Sequence, residues 1–157
     1  MIKLIKYERA GKEDFEAVAG VIVNAYKDFV NPDLTKEDLH SKLMKSGHHV
    51  NVAREGDEIV GAIIFGLIDS ERCGTYGSLT DLGVSKEYRK RGIGTRLLRS
   101  AIKDLTKLLG NSEKVIRARI DSSSSYSIVE KLGFEEDIFW GRDDELHVKL
   151  ELPNWVS

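Results

Sequence analysis

Three groups of residues in this chain could do chemistry. The first is the run Arg89-Lys90-Arg91-Gly92-Ile93-Gly94, between an apolar stretch ending at Val84 and a long amphipathic stretch. A strand–loop–helix junction of that kind presents bare backbone N–H groups and a positive helix end, which favour a phosphate-bearing ligand. Glycine at 92 and 94 lets backbone approach phosphate with no Cβ in the way. A P-loop needs G-x-x-x-x-G-K-[ST], and no such form surrounds these glycines. A dinucleotide fingerprint needs a small residue three after Gly94, where Leu97 stands. A turn that holds two glycines by chance is the remaining alternative. The second group is Asp81, a carboxylate inside an otherwise apolar run and hence a candidate proton acceptor. By alternation it points away from Leu82, and so either faces solvent or pairs with a sheet neighbour. The third is Cys73, which could carry an acyl group as a thiolate, although lone cysteines are mostly inert. His48 and His49 have no spaced third ligand, so no metal is expected.

The elements that position these residues follow from periodicity. Ile2 to Tyr7 alternates and reads as a strand. Phe15, Val18, Ala19, Ile22, Ala25 and Tyr26 fall on one helical stripe, which Asn31-Pro32-Asp33 ends. Thr35 caps a second helix with Leu39, Leu43 and Met44 as its apolar face, stopped by Gly47. His48 to Arg54 is a second strand, Glu55-Gly56-Asp57 a hairpin turn, and Ile59 to Ile68 a third strand apolar enough to be central. A loop over Asp69 to Thr75 leads to a fourth strand, Tyr76 to Val84. Ile93 to Leu109 is the strongest helix, with Ile93, Leu97, Leu98, Ala101, Ile102, Leu105 and Leu108 as its stripe. Val115 to Ile120 is a fifth strand, and Ser122 to Leu132 a helix closed by Gly133. Phe134 to Trp140 and Glu145 to Leu152 are the last strands, joined by a turn at Gly141 to Asp144. The order β-α-α-β-β-β-α-β-α-β-β predicts an α/β chain with a mixed sheet and helices on both faces.

At 157 residues, a single domain over 1–157 is the expectation. The charge balance, 24 Lys and Arg against 26 Asp and Glu, gives a net charge of −2 and no overall basic field for nucleic acid. One cysteine permits no disulfide framework and fits a reducing compartment. The N-terminal residues do not read as a signal peptide, and no apolar run has the length of a membrane span, so a cytoplasmic protein without a membrane partner is expected.

The spacing Arg89-x-x-Gly92-x-Gly94 and the helix ending Glu130-Lys131-Leu132-Gly133-Phe134 resemble the cofactor motifs of the GCN5-related N-acetyltransferase (GNAT) family. The element order is also that family's. The resemblance covers most of the chain and is specific over Leu79 to Leu105 and Ser122 to Phe134. It implies a mostly antiparallel seven-stranded sheet and acetyl-CoA as co-substrate, with no metal. The acceptor is a primary amine, either a small molecule or a protein N-terminus or lysine, attacked directly in a ternary complex. The pyrophosphate is then held by Arg89, Lys90, Arg91, Gly92, Ile93 and Gly94, with Thr95 opening the helix. The pantetheine arm lies on Leu82, Gly83 and Val84, where the fourth and fifth strands splay. Ser122, at the family's usual asparagine, and Ser125 complete the cofactor contacts.

Two positions depart from the family. Val129 stands where a tyrosine commonly protonates the departing sulfur. Arg117 stands where some protein N-terminal acetyltransferases carry a glutamate base. Asp81 is the best candidate for a substitute base, and Tyr126, one turn before Val129, is either the substitute acid or a wall residue. Asp28, Asp33, Glu37 and Asp38 make the first helices acidic, which suits a cationic acceptor. A homodimer through the late strands is a further implication. The rival is a CoA-binding sensor or scaffold that does no chemistry.

Overall fold

In the computed structural model, residues 4–27, 34–45, 47–72, 74–110, 115–120, 123–137 and 146–152 are described, without the side chains of 120, 123–126 and 146. The elements are β1 (Ile5–Arg9), α1 (Phe15–Lys27), α2 (Lys36–Met44), β2 (His48–Glu55), β3 (Glu58–Ser70), β4 (Gly74–Val84), α3 (Ile93–Leu109), β5 (Val115–Ile120), α4 (Ser123–Lys131), β6 (Glu135–Glu136) and β7 (Leu146–Glu151). They build one seven-stranded sheet in the order β1-β2-β3-β4-β5-β7-β6. Every strand pair is antiparallel except β4–β5. This is the mixed, mostly antiparallel GNAT-like sheet that the resemblance implied.

Each face of the sheet carries its own core. On one, α1 and α2 bring Val18, Ala19, Ile22, Leu39 and Leu43 onto Val50, Val52, Ala62 and Ile64. On the other, α3 lays Leu97, Ala101, Ile102 and Leu105 on Val60, Ile63, Phe65 and Ile116. Fully buried side chains such as Leu97, Ile102 and Leu105 contribute about 2 kcal/mol each by leaving water. Glycines set how closely the layers approach. A Cβ on Gly83 would lie 2.8 Å from the Ile22 Cα, so α1 rests directly on the β4 backbone. Gly61 faces α3, where a Cβ would meet Ile93 and Leu97 at 3.1 Å.

Several boundaries differ from the sequence reading. The expected loop over Asp69 to Thr75 is mostly strand: β3 and β4 stay paired through Asp69↔Thr75 and Ser70↔Gly74. Backbone pairing prolongs the hairpin past the point where apolar character stops. The first strand reaches Arg9 because β2 continues to pair with it through Arg9↔Asn51. On α3, Leu109 is buried and Leu108 is 42 % exposed, because the stripe continues four residues on from Leu105. Met44 likewise faces outward, leaving Leu39 and Leu43 as the buried pair of α2. Thr35 caps α2 as expected, its Oγ1 accepting from the Asp38 amide at 3.1 Å. Among the described residues the sixth strand is Glu135–Glu136, and residues 138–140 of the expected Phe134 to Trp140 strand lie outside them. The Asn31–Asp33 break, the Gly141–Asp144 turn, Trp140, Trp155 and Cys73 lie outside the described residues.

Candidate functional site

The glycine loop is shaped by two left-handed residues, Lys90 at φ 63° and Gly92 at φ 79°. Gly92 is the N-cap of α3 and offers no capping side chain. The first intrahelical bond runs from the Arg96 amide to the Gly92 carbonyl at 3.1 Å. The amides of Ile93, Gly94 and Thr95 therefore have no partner within the helix, as at any helix start. No acidic side chain occupies this first turn. A Cβ on Gly92 would meet nothing within 4 Å, and one on Gly94 only Val84 Cγ2 at 3.8 Å, so open space lies above the loop. The geometry is that of an anion cradle.

The three cations at the loop have different jobs. Arg89 turns inward, its Nε donating to the Val84 carbonyl at 3.1 Å, and so ties the loop to the end of β4. The Arg91 guanidinium lies over the Tyr88 ring, 5.1 Å from its centroid. Tyr88 in turn donates to Glu55 at 3.0 Å, and that bond holds its phenol above the usual value. Lys90 is exposed.

The loop leads to an opening in the sheet. β4 and β5 pair only through Gly77↔Ile116, Ser78↔Arg117 and Leu79↔Ala118. Beyond Leu79, the edge of β4 that faces β5 has no strand partner among the described residues, while its other edge stays paired to β3 as far as Val84. A bulge at Thr80, between the Ile64↔Asp81 and Phe65↔Leu79 rungs, sits at the point of parting. Leu82 and Val84 turn toward the α3 core. Leu82, Gly83 and Val84 thus lie along an open backbone edge that runs into the glycine loop. The close approach that requires glycine at 83 is that of α1 on the opposite side of the strand backbone.

Asp81, two residues beyond the last β4–β5 rung, faces α1 and α2. Its side chain is 11 % exposed, so it is not a solvated carboxylate. Oδ1 accepts from the Tyr26 hydroxyl at 2.9 Å and Oδ2 from Lys42 Nζ at 3.0 Å. Both partners come from the first two helices. His48 lies close by, its pKa lowered first by burial and then by the Lys42 charge, with Asp81 acting in the opposite sense.

Arg117, at the position of the absent glutamate, is half-buried. Its Nε donates to Asp137 Oδ2 at 3.2 Å, and its guanidinium covers the Tyr76 ring at 5.0 Å. Val129 is buried in the α3-side core with Leu132 and Phe134. The ending after Val129 is a Schellman cap: Phe134 N donates to the Val129 carbonyl, Gly133 N to the Glu130 carbonyl, and Gly133 takes φ 101°. That half of the sequence resemblance thus has a local structural cause. Ser125 and Tyr126 fall within α4 with their side chains outside the description, and Ser122 lies outside the described residues. Among the described residues no group of His, Cys, Asp and Glu could hold a metal, and no helix is long and apolar enough to cross a membrane.

Sequence reasoning missed Tyr26 and Lys42 as partners of Asp81. Tyr26 had a signal, a polar-tipped aromatic at the end of an apolar stripe. Lys42 had none.

Residues 17–134 match the acetyltransferase (GNAT) family, and the chain belongs to that family. GNAT enzymes draw their acetyl group from acetyl-CoA and pass it to an acceptor. The chain resembles N-alpha-acetyltransferase 30 of Schizosaccharomyces pombe at 32 % identity, over 53 % of this chain and 55 % of that protein. It resembles the Xenopus laevis protein of the same name at 33 % identity, over 55 % of this chain and 31 % of the other. The chain thus spans about a third to a half of these curated relatives. In fold it matches the PaiA N-acetyltransferase of Thermoplasma acidophilum, solved in complex with coenzyme A, with a TM-score of 0.74 at 18 % identity, covering 94 % of this chain and 99 % of that one.

Proposed function

We propose that this chain transfers an acetyl group from acetyl-CoA to the α-amine of a protein or peptide N-terminus. The observation that carries the reading is the position of Asp81, a mostly buried carboxylate at the point where β4 leaves β5, on an edge that runs into the glycine loop. The likeness to N-alpha-acetyltransferases supports an N-terminal amine as acceptor.

The chain's own residues divide the work. The amides of Ile93, Gly94 and Thr95 would hold the pyrophosphate, with Arg89, Lys90, Arg91 and Gly92 shaping and charging the loop. The open edge of Leu82, Gly83 and Val84 would take the pantetheine arm as an added strand. A main-chain N–H there would polarise the thioester carbonyl oxygen. Acetyl-CoA supplies the activated acetyl thioester when bound. Asp81 accepts the proton that the acceptor ammonium must lose, and Tyr26 keeps its carboxylate oriented. Ser122 and Ser125 belong to the same proposal as cofactor contacts at the start of α4.

Isotope-labelled acetyl-CoA with a panel of peptides and small amines tests this directly. Label on peptide α-amines is the expected result. Label on small amines alone would move the acceptor class. CoA binding with no transfer to any amine would make the chain a binding module.

A further inference from the structure

The cation that Asp81 holds is itself a primary amine. Lys42 lies in the last turn of α2 with a side chain 43 % exposed, and its Nζ sits 3.0 Å from Asp81 Oδ2. Asp81 lies two residues past the last β4–β5 rung and faces α1 and α2. The Lys42 nitrogen is thus held at the mouth of the sheet opening, against the group that would take a proton from an acceptor. The four-carbon stem leaves Nζ free to turn a few ångströms toward the open edge.

We infer that Lys42 is an acceptor in cis, and that this chain acetylates its own Lys42. This rests on the reading above that acetyl-CoA occupies the glycine loop and the open β4 edge. The step balances without a further reactant. The Lys42 ammonium gives one proton to Asp81, which passes it to water. The freed lone pair forms the new N–C bond to the acetyl carbonyl carbon. The C–S bond breaks, the sulfur leaves with its electron pair, and the amide nitrogen loses its second proton to solvent or sulfur. The products are Nζ-acetyl-Lys42 and free CoA. The modified side chain no longer neutralises Asp81.

Lys36 provides an internal control. It lies on the same helix, its side chain is also 43 % exposed, and it is also ion-paired, to Glu16 at 3.3 Å. It does not contact Asp81. Uncatalysed acetylation depends on exposure and would mark both lysines, whereas transfer at the site marks only Lys42.

The experiment incubates the full chain with isotope-labelled acetyl-CoA and maps the label by peptide mass spectrometry, with acetyl-CoA binding measured by calorimetry on the same preparation. One acetyl group on Lys42 is expected, at a rate independent of protein concentration, with Lys36 at least tenfold slower. Gly94→Glu should lose the Lys42 label, and Lys42→Arg should bind acetyl-CoA without acquiring label at that position. A second readout follows His48 by NMR: loss of the Lys42 charge should raise its pKa, because that charge helps to lower it. Bound acetyl-CoA with Lys42 unlabelled, equal labelling of Lys36 and Lys42, or a rate that rises with protein concentration each overturns the inference. Failure to bind acetyl-CoA overturns it together with the proposed function, so the two failures are distinguishable.

Discussion

Two carboxylates on opposite faces of the sheet hold a cation each, and they do so differently. On the α3 face, Asp104 accepts from Arg9 Nη2 and from Asn51 Nδ2, both at 3.0 Å. Arg9 is fixed further by Asn51 Oδ1 at 3.0 Å, by His49 Nδ1 at 3.0 Å, and by its seat over the Phe65 ring. Asn51 also donates to Ser100. The network joins β1, β2 and α3, and it flanks a cavity of about 390 Å³ lined by Tyr7, Lys103 and Lys107 among others. On the α1/α2 face, Asp81 is more deeply buried, yet its cation is a single flexible lysine. A planar guanidinium with several partners cross-links elements, whereas a lysine ammonium on one oxygen can leave and be replaced. We read the first network as scaffold and the second as a working site.

The comparison is sharpest if acetyl-CoA reaches only one of the two carboxylates. Gly94→Glu adds bulk and negative charge where backbone is proposed to meet pyrophosphate. The variant should lose a hundredfold or more in acetyl-CoA affinity, on the order of 3 kcal/mol. Its thermal unfolding should hardly change, because a Cβ at this position meets only Val84 Cγ2, at an ordinary 3.8 Å. Calorimetry showing unchanged affinity would put the donor elsewhere and remove the reason to prefer Asp81.

Asp81→Asn comes next. The amide keeps the shape and loses the ability to take a proton. We expect kcat to fall about a hundredfold, roughly 2.7 kcal/mol of barrier. Near wild-type kinetics with lowered stability would make Asp81 scaffold as well, and the contrast between the faces would collapse. Asp104→Ala is the counterpart. It strips Arg9 and Asn51 of one acceptor and should cost about 1 to 2 kcal/mol of stability with kcat nearly unchanged.

The same contrast explains what the sequence could show. The glycine loop is contiguous: strand end, basic turn, two glycines and helix stripe all lie within Val84–Leu105, so pattern alone reveals it. The site around Asp81 is assembled from α1, α2 and β4, and no spacing in the chain links Tyr26, Lys42 and Asp81. Alternation gave the direction of Asp81 and could not say what it would meet. Gly83 was expected only as a contact for the pantetheine arm; the close approach that needs glycine there is that of Ile22, which depends on how α1 docks. The Leu108 and Met44 assignments failed at helix ends, where one residue of phase decides which side is buried. The loop expected over Asp69 to Thr75 failed because backbone pairing, which leaves little mark on composition, extends the hairpin.

Acid acts on both faces in the same direction. Arginine can only donate, so the contact with Arg9 requires His49 Nδ1 to accept, and the ring is neutral. Burial first, and the Arg9 charge next, lower the His49 pKa, while Asp104 works against them. The stability this contributes is present above the unfolded value of about 6.5 and is lost as pH falls through the lower folded value. His48 titrates in the same direction. Glu8 and Asp14, lowered chiefly by Arg54, lose their contribution only in the lower carboxylate range. Thermal unfolding followed from pH 7 to 5 should therefore show a falling midpoint, and a shallower fall in His49→Gln. Equal slopes in the two proteins would mean that the Arg9 network does not depend on a neutral ring.

The smallest effect expected is at Tyr126, and it tests whether the proposed transfer needs a second proton-transfer group at all. The usual tyrosine position holds Val129, which is buried against the α3-side core and forms the C3 end of the Schellman cap, so no phenol can act from there. Two accounts remain. Either Tyr126, one turn earlier in α4, gives a proton to the departing sulfur, or CoA leaves as a thiolate. A thiol with an ordinary pKa of about 8.5 is a fair leaving group near neutral pH, so the second account needs no dedicated acid. We therefore expect Tyr126→Phe to lower kcat less than about fivefold, under about 1 kcal/mol. A ten- to hundredfold loss confined to kcat, roughly 1.4 to 2.7 kcal/mol, would make Tyr126 the acid beside the proposed base Asp81. A rise in KM for acetyl-CoA with kcat unchanged would instead place Tyr126 in the wall that holds the cofactor, with Asp81 as the one proton-transfer group proposed.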